Sequence, residues 1–395
     1  MGIFDRLGLQ GVINAVGPAT RLGSSTLDAE VVAAMAEAAS SYVPMDLLQR
    51  RAGAVIAQMT GAQDGYVVSG AAAGLTLAAA ACLAGLDVDA MERLPHTDGL
   101  RNRILILSTH RYGYDHAVRA AGAILHEIEP TALRGHGLAG AAADAAGFLF
   151  NVSGPASGAA LADVAHAVRP LGVPVIVDAA AAVPPAENLR ALIAEGADIV
   201  AFSGGKAIGG PSASGFLAGR ADLILSVALQ HQDMDIRVPT WGYRDAIVQG
   251  AIAAPPGQGI GRGMKVGKEE VAGLLVALER YSAHDHAADQ RDWERRVALL
   301  VEALAGRAGV NARRSIQDIT GPVPHALIDI EPTVINLTGD DVLLALSTGD
   351  PPIYLGEHDA DHHCLTFCPS NVTDEETEIV ARRLVELISV RTPDR

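Results

Sequence analysis

The sequence predicts an α/β protein: a mainly parallel sheet sandwiched between helices, followed by a smaller C-terminal α+β domain. Three observations predict it. Short apolar runs recur between residues 66 and 218, and most are continuous rather than alternating, as strands covered on both faces require. Longer helical patterns separate these runs, which is the order of a parallel sheet with crossover helices. A Gly/Pro-rich stretch, Pro255-Pro256-Gly257-Gln258-Gly259-Ile260-Gly261, then punctuates the chain ahead of a helix from about Lys268 to Ser282.

Taken in order, residues 1–50 read as an arm, broken at Gly17-Pro18 and Gly23-Ser24-Ser25, with a helix from about Leu27 to Ala39. Strands are expected at Tyr66–Ser69, Arg103–Leu107, Ala123–Ile128, Phe148–Val152, Val175–Asp178, Asp198–Phe202 and Gly215–Ala218. The large domain is assigned to 51–260 and the small one to 261–395, with the Gly/Pro stretch as hinge and residues 375–390 as an amphipathic closing helix. In such sheets ligands sit at the carboxyl ends of the strands.

Composition narrows the function classes. The 395 residues carry a formal net charge of -16, which repels phosphate backbones and argues against a nucleic-acid partner. The longest greasy stretch, Ala71 to Ala84, is mostly alanine and too short to span a bilayer, so no membrane partner is expected. The N-terminus lacks a charged-then-apolar signal design. Cys82, Cys364 and Cys368 make no disulfide framework and fit a reducing cytoplasm.

Four features fall where the fold places a site. Ser69-Gly70-Ala71-Ala72 ends a strand and opens a helix, whose free N–H groups and positive dipole end suit a phosphate; an ordinary strand-to-helix turn is the competing reading. Val175-Ile176-Val177-Asp178 strands a carboxylate at the end of an apolar run, which is costly unless a cation or donors meet it; a helix N-cap or a metal-binding Asp are the rivals. Phe202-Ser203-Gly204-Gly205-Lys206 projects a lysine among small residues, where desolvation makes an amine nucleophilic. A phosphate-binding P-loop would need Ser or Thr after the lysine, and Ala207 stands there. Finally, Ser108-Thr109-His110-Arg111-Tyr112-Gly113-Tyr114-Asp115-His116 gathers flat rings that could stack on a flat cofactor; a structural histidine is the rival. The irregular segment Glu357 to Cys364 reads as an exposed hairpin tip, and no metal is expected there.

Asp178 and Lys206 at the ends of successive strands resemble the fold-type I pyridoxal 5′-phosphate (PLP) enzymes, the aspartate aminotransferase superfamily. VINAVGPATRLGSS, QRRAGAVIAQMTGA, LPHTDGLRNRILILSTHRYGYDHAVRAAGA, AFSGGKAIGGPSASG and GIGRGMKVGKEEVAGLLVALERY resemble its selenocysteine synthase-like branch, and within it the D-glucosaminate-6-phosphate ammonia-lyases. The likeness runs from about Val12 to Tyr281. It implies an aspartate aminotransferase-like three-layer sandwich, with PLP held as an imine on Lys206 and its ring nitrogen on Asp178. Ser69, Gly70, Ala71 and Ser203 would form the phosphate cup, and His110, with Tyr112 as a substitute, would stack on the ring. Lys265 and Arg262 would offer cations to a phosphate, and a homodimer or larger ring would share its sites between subunits. Because the core motif begins at Val12, no room is expected for the tRNA-handling domain of selenocysteine synthase. The segments 352–356 and 365–371 lack the arginine that many superfamily members use to clamp a substrate carboxylate, so Arg21 is the expected partner.

The resemblance implies a PLP-dependent ammonia-lyase whose small-molecule substrate is an amino acid with a leaving group at C3, a D-glucosaminate-like compound among the candidates. Racemisation and aldol cleavage use the same first step and remain alternatives. A non-catalytic scaffold or sensor is the rival of another class, and it would have no need of Asp178 and Lys206 together.

Overall fold

The computed structural model describes residues 2–135, 137–153, 159–316 and 322–389. The chain divides into two compact units, one from Leu27 to Ala283 and one combining Met1–Thr26 with His284–Arg395. The first strand, β1 (Ile13–Ala15), belongs to the second of these.

The larger unit is built on seven strands: β2 (Asp64–Val68), β3 (Arg103–Leu107), β4 (Ile124–Ile128), β5 (Ala145–Asn151), β6 (Val175–Asp178), β7 (Ile199–Ser203) and β8 (Gly215–Gly219). Their order is β2-β8-β7-β6-β5-β3-β4. The neighbours from β7 to β4 are parallel, and β8 runs antiparallel to both β7 and β2. Alternate side chains enter two separate cores. Phe148, Phe150, Val175, Val177, Val200 and Phe202 pack on one face, and Leu149, Ile176, Ile199 and Ala201 on the other. Both faces are covered by helices, so the strands read as unbroken apolar runs, and the architecture is an aspartate aminotransferase-like sandwich.

The helix Ala71–Ala84 lies against the sheet and is buried along most of its length. A Cβ at Gly74 would stand 3.2 Å from Leu217 Cδ2 and 3.3 Å from Val68 Cγ2, so only small residues allow this close approach. The rule that sets its composition also carries its N-terminus to the end of β2, beside the candidate phosphate site.

In the smaller unit, β9 (Val310–Ile316), β10 (Pro324–Ile330) and β12 (Cys364–Phe367) form an antiparallel sheet in the order β12-β10-β9. β1 pairs parallel with β11 (Ile353–Leu355). The helices His286–Leu304 and Asp374–Ser389 supply apolar faces to this core, including Val297, Leu300, Val380 and Leu384. The closing helix follows the sequence reading, with Val390 outside the described residues.

The division of the chain differs from the expected one. The Gly/Pro stretch at 255–261 is not the boundary, because the helix after it, Lys268–Ala283, buries Val271, Leu274 and Leu278 in the larger unit's core. Arg280 near its end pairs with Asp28 at 2.8 Å and Glu30 at 2.5 Å, and Asp28 also caps the helix Ala29–Ala39. The arm is divided too, since residues before Leu27 join the smaller unit. Among the described residues no helix is long and apolar enough to cross a membrane.

Candidate active site

β6 and β7 are parallel, with Asp178 opposite Ala201, so their carboxyl ends bring Asp178 and Ser203 to one edge of the sheet. Asp178 is 6% exposed. Its Oδ1 accepts from the Ala180 N–H at 2.9 Å and its Oδ2 accepts from the Tyr112 hydroxyl. Both donors are neutral. They hold the carboxylate in one orientation without cancelling its charge.

Lys206 lies three residues beyond β7. Burial pushes its pKa below the ordinary lysine value, and the charge of Asp178 partly offsets that shift. Asp178 is the charged group whose field that amine feels. The loop carrying the lysine is folded tightly upon itself: Gly204 N–H donates to Ser214 O at 2.9 Å, Gly210 N–H to Gly204 O at 2.8 Å, and Gly209 N–H to Lys206 O at 2.9 Å. A Cβ on Gly205 would meet Ser212 Cα at 2.7 Å, and one on Gly204 would meet Leu274 Cδ1 at 2.6 Å. The crowding comes from backbone at Gly205 and mainly from the Ser214 and Leu274 side chains at Gly204, and it fixes the root of Lys206.

At the end of β2, Gly70 adopts φ 98° and opens the helix Ala71–Ala84. The first intrahelical bond is Gly74 N–H to Gly70 O at 3.0 Å, so the N–H groups ahead of it face outward. Gly215 on β8 lies directly behind this turn, where a Cβ would be 2.8 Å from Gly70 C and 2.9 Å from Ala71 N. The Ser69 hydroxyl is engaged, donating to the Met264 carbonyl at 2.7 Å.

The ring-rich loop after β3 sets His110 and Tyr112 against different partners. His110 is 2% exposed and packs edge-on against Phe150, with centroids 4.9 Å apart. The hydroxyl of Tyr112 is the group that reaches Asp178, and burial followed by the Asp178 charge pushes its pKa far above the ordinary value. Buried Asp115 anchors this loop by accepting from Arg111 at 2.6 Å and Arg119 at 3.3 Å. Thr109 Oγ1, in the same loop, is buried without a hydrogen-bond partner among the described residues.

Of the remaining sequence candidates, Arg262 pairs with Asp233 at 3.3 Å. It lines a cavity of about 410 Å³ in the larger unit together with Lys265. Arg21 pairs with Glu357 at 3.2 Å, and its guanidinium lies 5.7 Å from the centre of the Tyr354 ring, both within the smaller unit. Around 358–363, a short turn at Ala360–His362 leads to His363 with φ 58°, and no three metal-ligating side chains converge among the described residues.

The arrangement suits PLP. One desolvated amine, one buried carboxylate held by neutral donors, a helix start rich in outward N–H groups, and an unpartnered buried hydroxyl are what a site shaped around an aldehyde, a pyridine nitrogen and a phosphate contains.

No protein-family model matches the chain. It is 31% identical over 399 residues to a 5′-C-glycyluridine monooxygenase-decarboxylase from a Streptomyces species, covering 98% of this chain and 92% of that protein. It is 29% identical over 394 residues to a D-glucosaminate-6-phosphate ammonia lyase of Salmonella typhimurium, covering 98% and 97%. An L-seryl-tRNA(Sec) selenium transferase of Solidesulfovibrio magneticus is 26% identical over 423 residues, covering 96% and 83%. The solved structure of a D-glucosaminate-6-phosphate ammonia-lyase superposes with a TM-score of 0.78 at 28% identity, covering all of both chains.

Proposed function

Because the chain belongs to the selenocysteine synthase-like branch of the fold-type I PLP-dependent enzymes, we propose that it is an ammonia-lyase acting on a hydroxy amino acid, with Lys206 as cofactor lysine and proton carrier. What supports this reading is the buried carboxylate of Asp178 at the end of β6, with the desolvated Lys206 three residues beyond its parallel neighbour β7.

When bound, the cofactor supplies a conjugated ring that takes up the electron pair left at the substrate Cα. The chain supplies the rest. Desolvation favours the neutral amine of Lys206, which takes the proton from Cα and can return it to the departing C3 hydroxyl as water leaves. Asp178, fixed by Ala180 N–H and the Tyr112 hydroxyl, keeps positive charge on the ring nitrogen. The N–H groups of that helix start, from Ala71 on, would hold the phosphate, with Ser69, Gly70 and Ser203 at its rim. Water re-enters to release ammonia, so the hydroxy amino acid becomes a 2-keto acid with no oxidant or reductant.

The likeness to the 5′-C-glycyluridine enzyme favours a second reading, oxygen-dependent decarboxylation of an amino acid. A panel of D- and L-hydroxy amino acids, sugar-derived ones included, separates the two. Ammonia and keto acid formed without oxygen support the lyase; oxygen uptake with carbon dioxide release overturns it, and so does racemised or aldol-cleaved substrate. Lys206→Ala should abolish the borohydride-fixed pyridoxyl group on the protein and lower turnover by more than about 1,000-fold. Arg21→Ala should raise KM for the substrate, and an unchanged KM removes Arg21 as the carboxylate partner.

The reading includes a cytoplasmic homo-oligomer. Its support is the unpaired state of all three cysteines and the exposure of Tyr42, Val43, Leu47, Ile236, Val238 and Val248, large apolar groups that a second copy would cover. A monomer in light scattering at micromolar concentration would be the contrary result.

A further inference from the structure

A chain of hydrogen bonds, buried at its start and part-buried beyond, runs from the middle of β2 to the candidate phosphate end of the site. The Tyr66 hydroxyl lies 3.0 Å from His231 Nδ1, His231 Nε2 lies 3.0 Å from the Met264 carbonyl, and that same carbonyl accepts from the Ser69 hydroxyl at 2.7 Å. Tyr66 and His231 are both buried. A carbonyl can only accept, so Nε2 carries the ring proton, Nδ1 accepts, and Tyr66 donates. Every polar atom in the chain then has one role. The imidazole is neutral, in keeping with the burial that lowers its pKa.

The segment beyond His231 is docked backbone to backbone. A Cβ at Gly259 would stand 2.6 Å from Gln230 Cα, and one at Gly261 would stand 2.8 Å from Gln230 O and 3.0 Å from His231 Cα. These glycines, which read in sequence as a hinge, let the turn Ile260–Met264 lie on the end of the helix Ala221–His231. Arg262 and Lys265 flank Met264.

We propose that His231 is a positioning residue: through the Met264 carbonyl it fixes the Arg262–Lys265 segment against Ser69, and so sets the geometry with which this chain grips the cofactor phosphate. The inference rests on the reading of Ser69–Ala71 as the phosphate cup. Its consequence is selective. Losing the strut weakens the grip on phosphate and leaves the lysine and carboxylate that hold the ring untouched.

The test titrates the full-length apoprotein with PLP and with pyridoxal, which lacks the phosphate. His231→Ala should weaken PLP binding about tenfold and leave pyridoxal within about twofold. His231→Gln, which keeps an amide donor for Met264 and an acceptor for Tyr66, should recover most of the loss. Should His231→Ala not fold, Tyr66→Phe carries the test, with a smaller shift in the same direction. Wild-type PLP affinity in these variants, or an equal loss for both ligands, overturns the inference. Ser69→Ala and Lys265→Ala serve as the separate check: if neither alters the preference for PLP over pyridoxal, the phosphate-cup reading itself fails. If they do and His231 variants do not, only the strut fails.

Discussion

Two carboxylates bracket the strand pair β6–β7, one at each end of the sheet, and they are satisfied in opposite ways. Asp198, just ahead of β7, accepts from the Val175 N–H at 2.8 Å and from the Arg220 guanidinium at 3.2 Å. Asp178, closing β6, accepts from the neutral Ala180 N–H and Tyr112 hydroxyl and from no charged donor among the described residues. The first has its charge met by an arginine at the rim. The second is buried with its charge left for something else, and that charge acts on the amine of Lys206. Residue type therefore says little by itself. What separates a carboxylate that joins strands from one that does chemistry is the end of the sheet it occupies and whether its donors are charged.

The sharpest way to break that contrast is to neutralise each carboxylate in turn. Asp178→Asn should cut kcat by about 100- to 1,000-fold, or about 3–4 kcal/mol of barrier, with the melting temperature nearly unchanged. Asp198→Asn should leave kcat within about twofold and cost about 1 kcal/mol of stability, because its arginine partner is substantially solvated. Equal effects on kcat would erase the distinction.

β8 offers the same contrast in glycines. A Cβ on Gly215 would press on Gly70 and Ala71, and one on Gly219 would meet Ile199 Cα at 2.8 Å at the opposite end. Both Ala substitutions should destabilise by about 1–3 kcal/mol. Only Gly215→Ala should also weaken PLP relative to pyridoxal in the folded fraction, since it alone pushes on the candidate phosphate turn.

Much of this was legible in sequence. The apolar runs 103–107 and 175–178 are strands at those same bounds, because a strand buried on both faces has to be apolar throughout. Asp178 and Ser203 end strands, and Lys206 follows closely, as the apolar runs before them imply. What stayed hidden depends on side-chain direction across long separations. Tyr112 and Asp178 are 66 residues apart, and no local pattern says that the phenol, rather than His110, reaches the carboxylate. The Gly259-Ile260-Gly261 spacing did carry a signal, but loose hinges and tightly docked turns use the same residue, and only the nearby His231 helix end decides between them. The unit boundary escaped for a similar reason: the helix Lys268–Ala283 looks alike in sequence whichever core its apolar face enters.

The smallest expected effect concerns protonation at the carboxyl end of the sheet, where the fold also demands an imidazole without its second proton. His231 faces the Tyr66 hydroxyl and the Met264 carbonyl and feels the charge of Arg262; burial is the largest influence on it, and its pKa is lowered. Above the unfolded histidine pKa of about 6.5, folded and unfolded states are both neutral there, and the contribution to stability is full. As pH falls below that value the unfolded chain takes up a proton that the folded one refuses. Stability then drops until the pH reaches the folded pKa. His325 in the smaller unit, buried with Nδ1 3.0 Å from the Val323 carbonyl, is lowered for the same reason and adds its own loss. Urea unfolding of the apoprotein between pH 7.5 and 5.5 should therefore show a falling midpoint, with His231→Gln flattening part of the slope and leaving the share of His325. A midpoint whose pH dependence is the same in His231→Gln and the wild type would show that His231 titrates alike in both states, and that the carboxyl end of the sheet imposes no charge state on its imidazole.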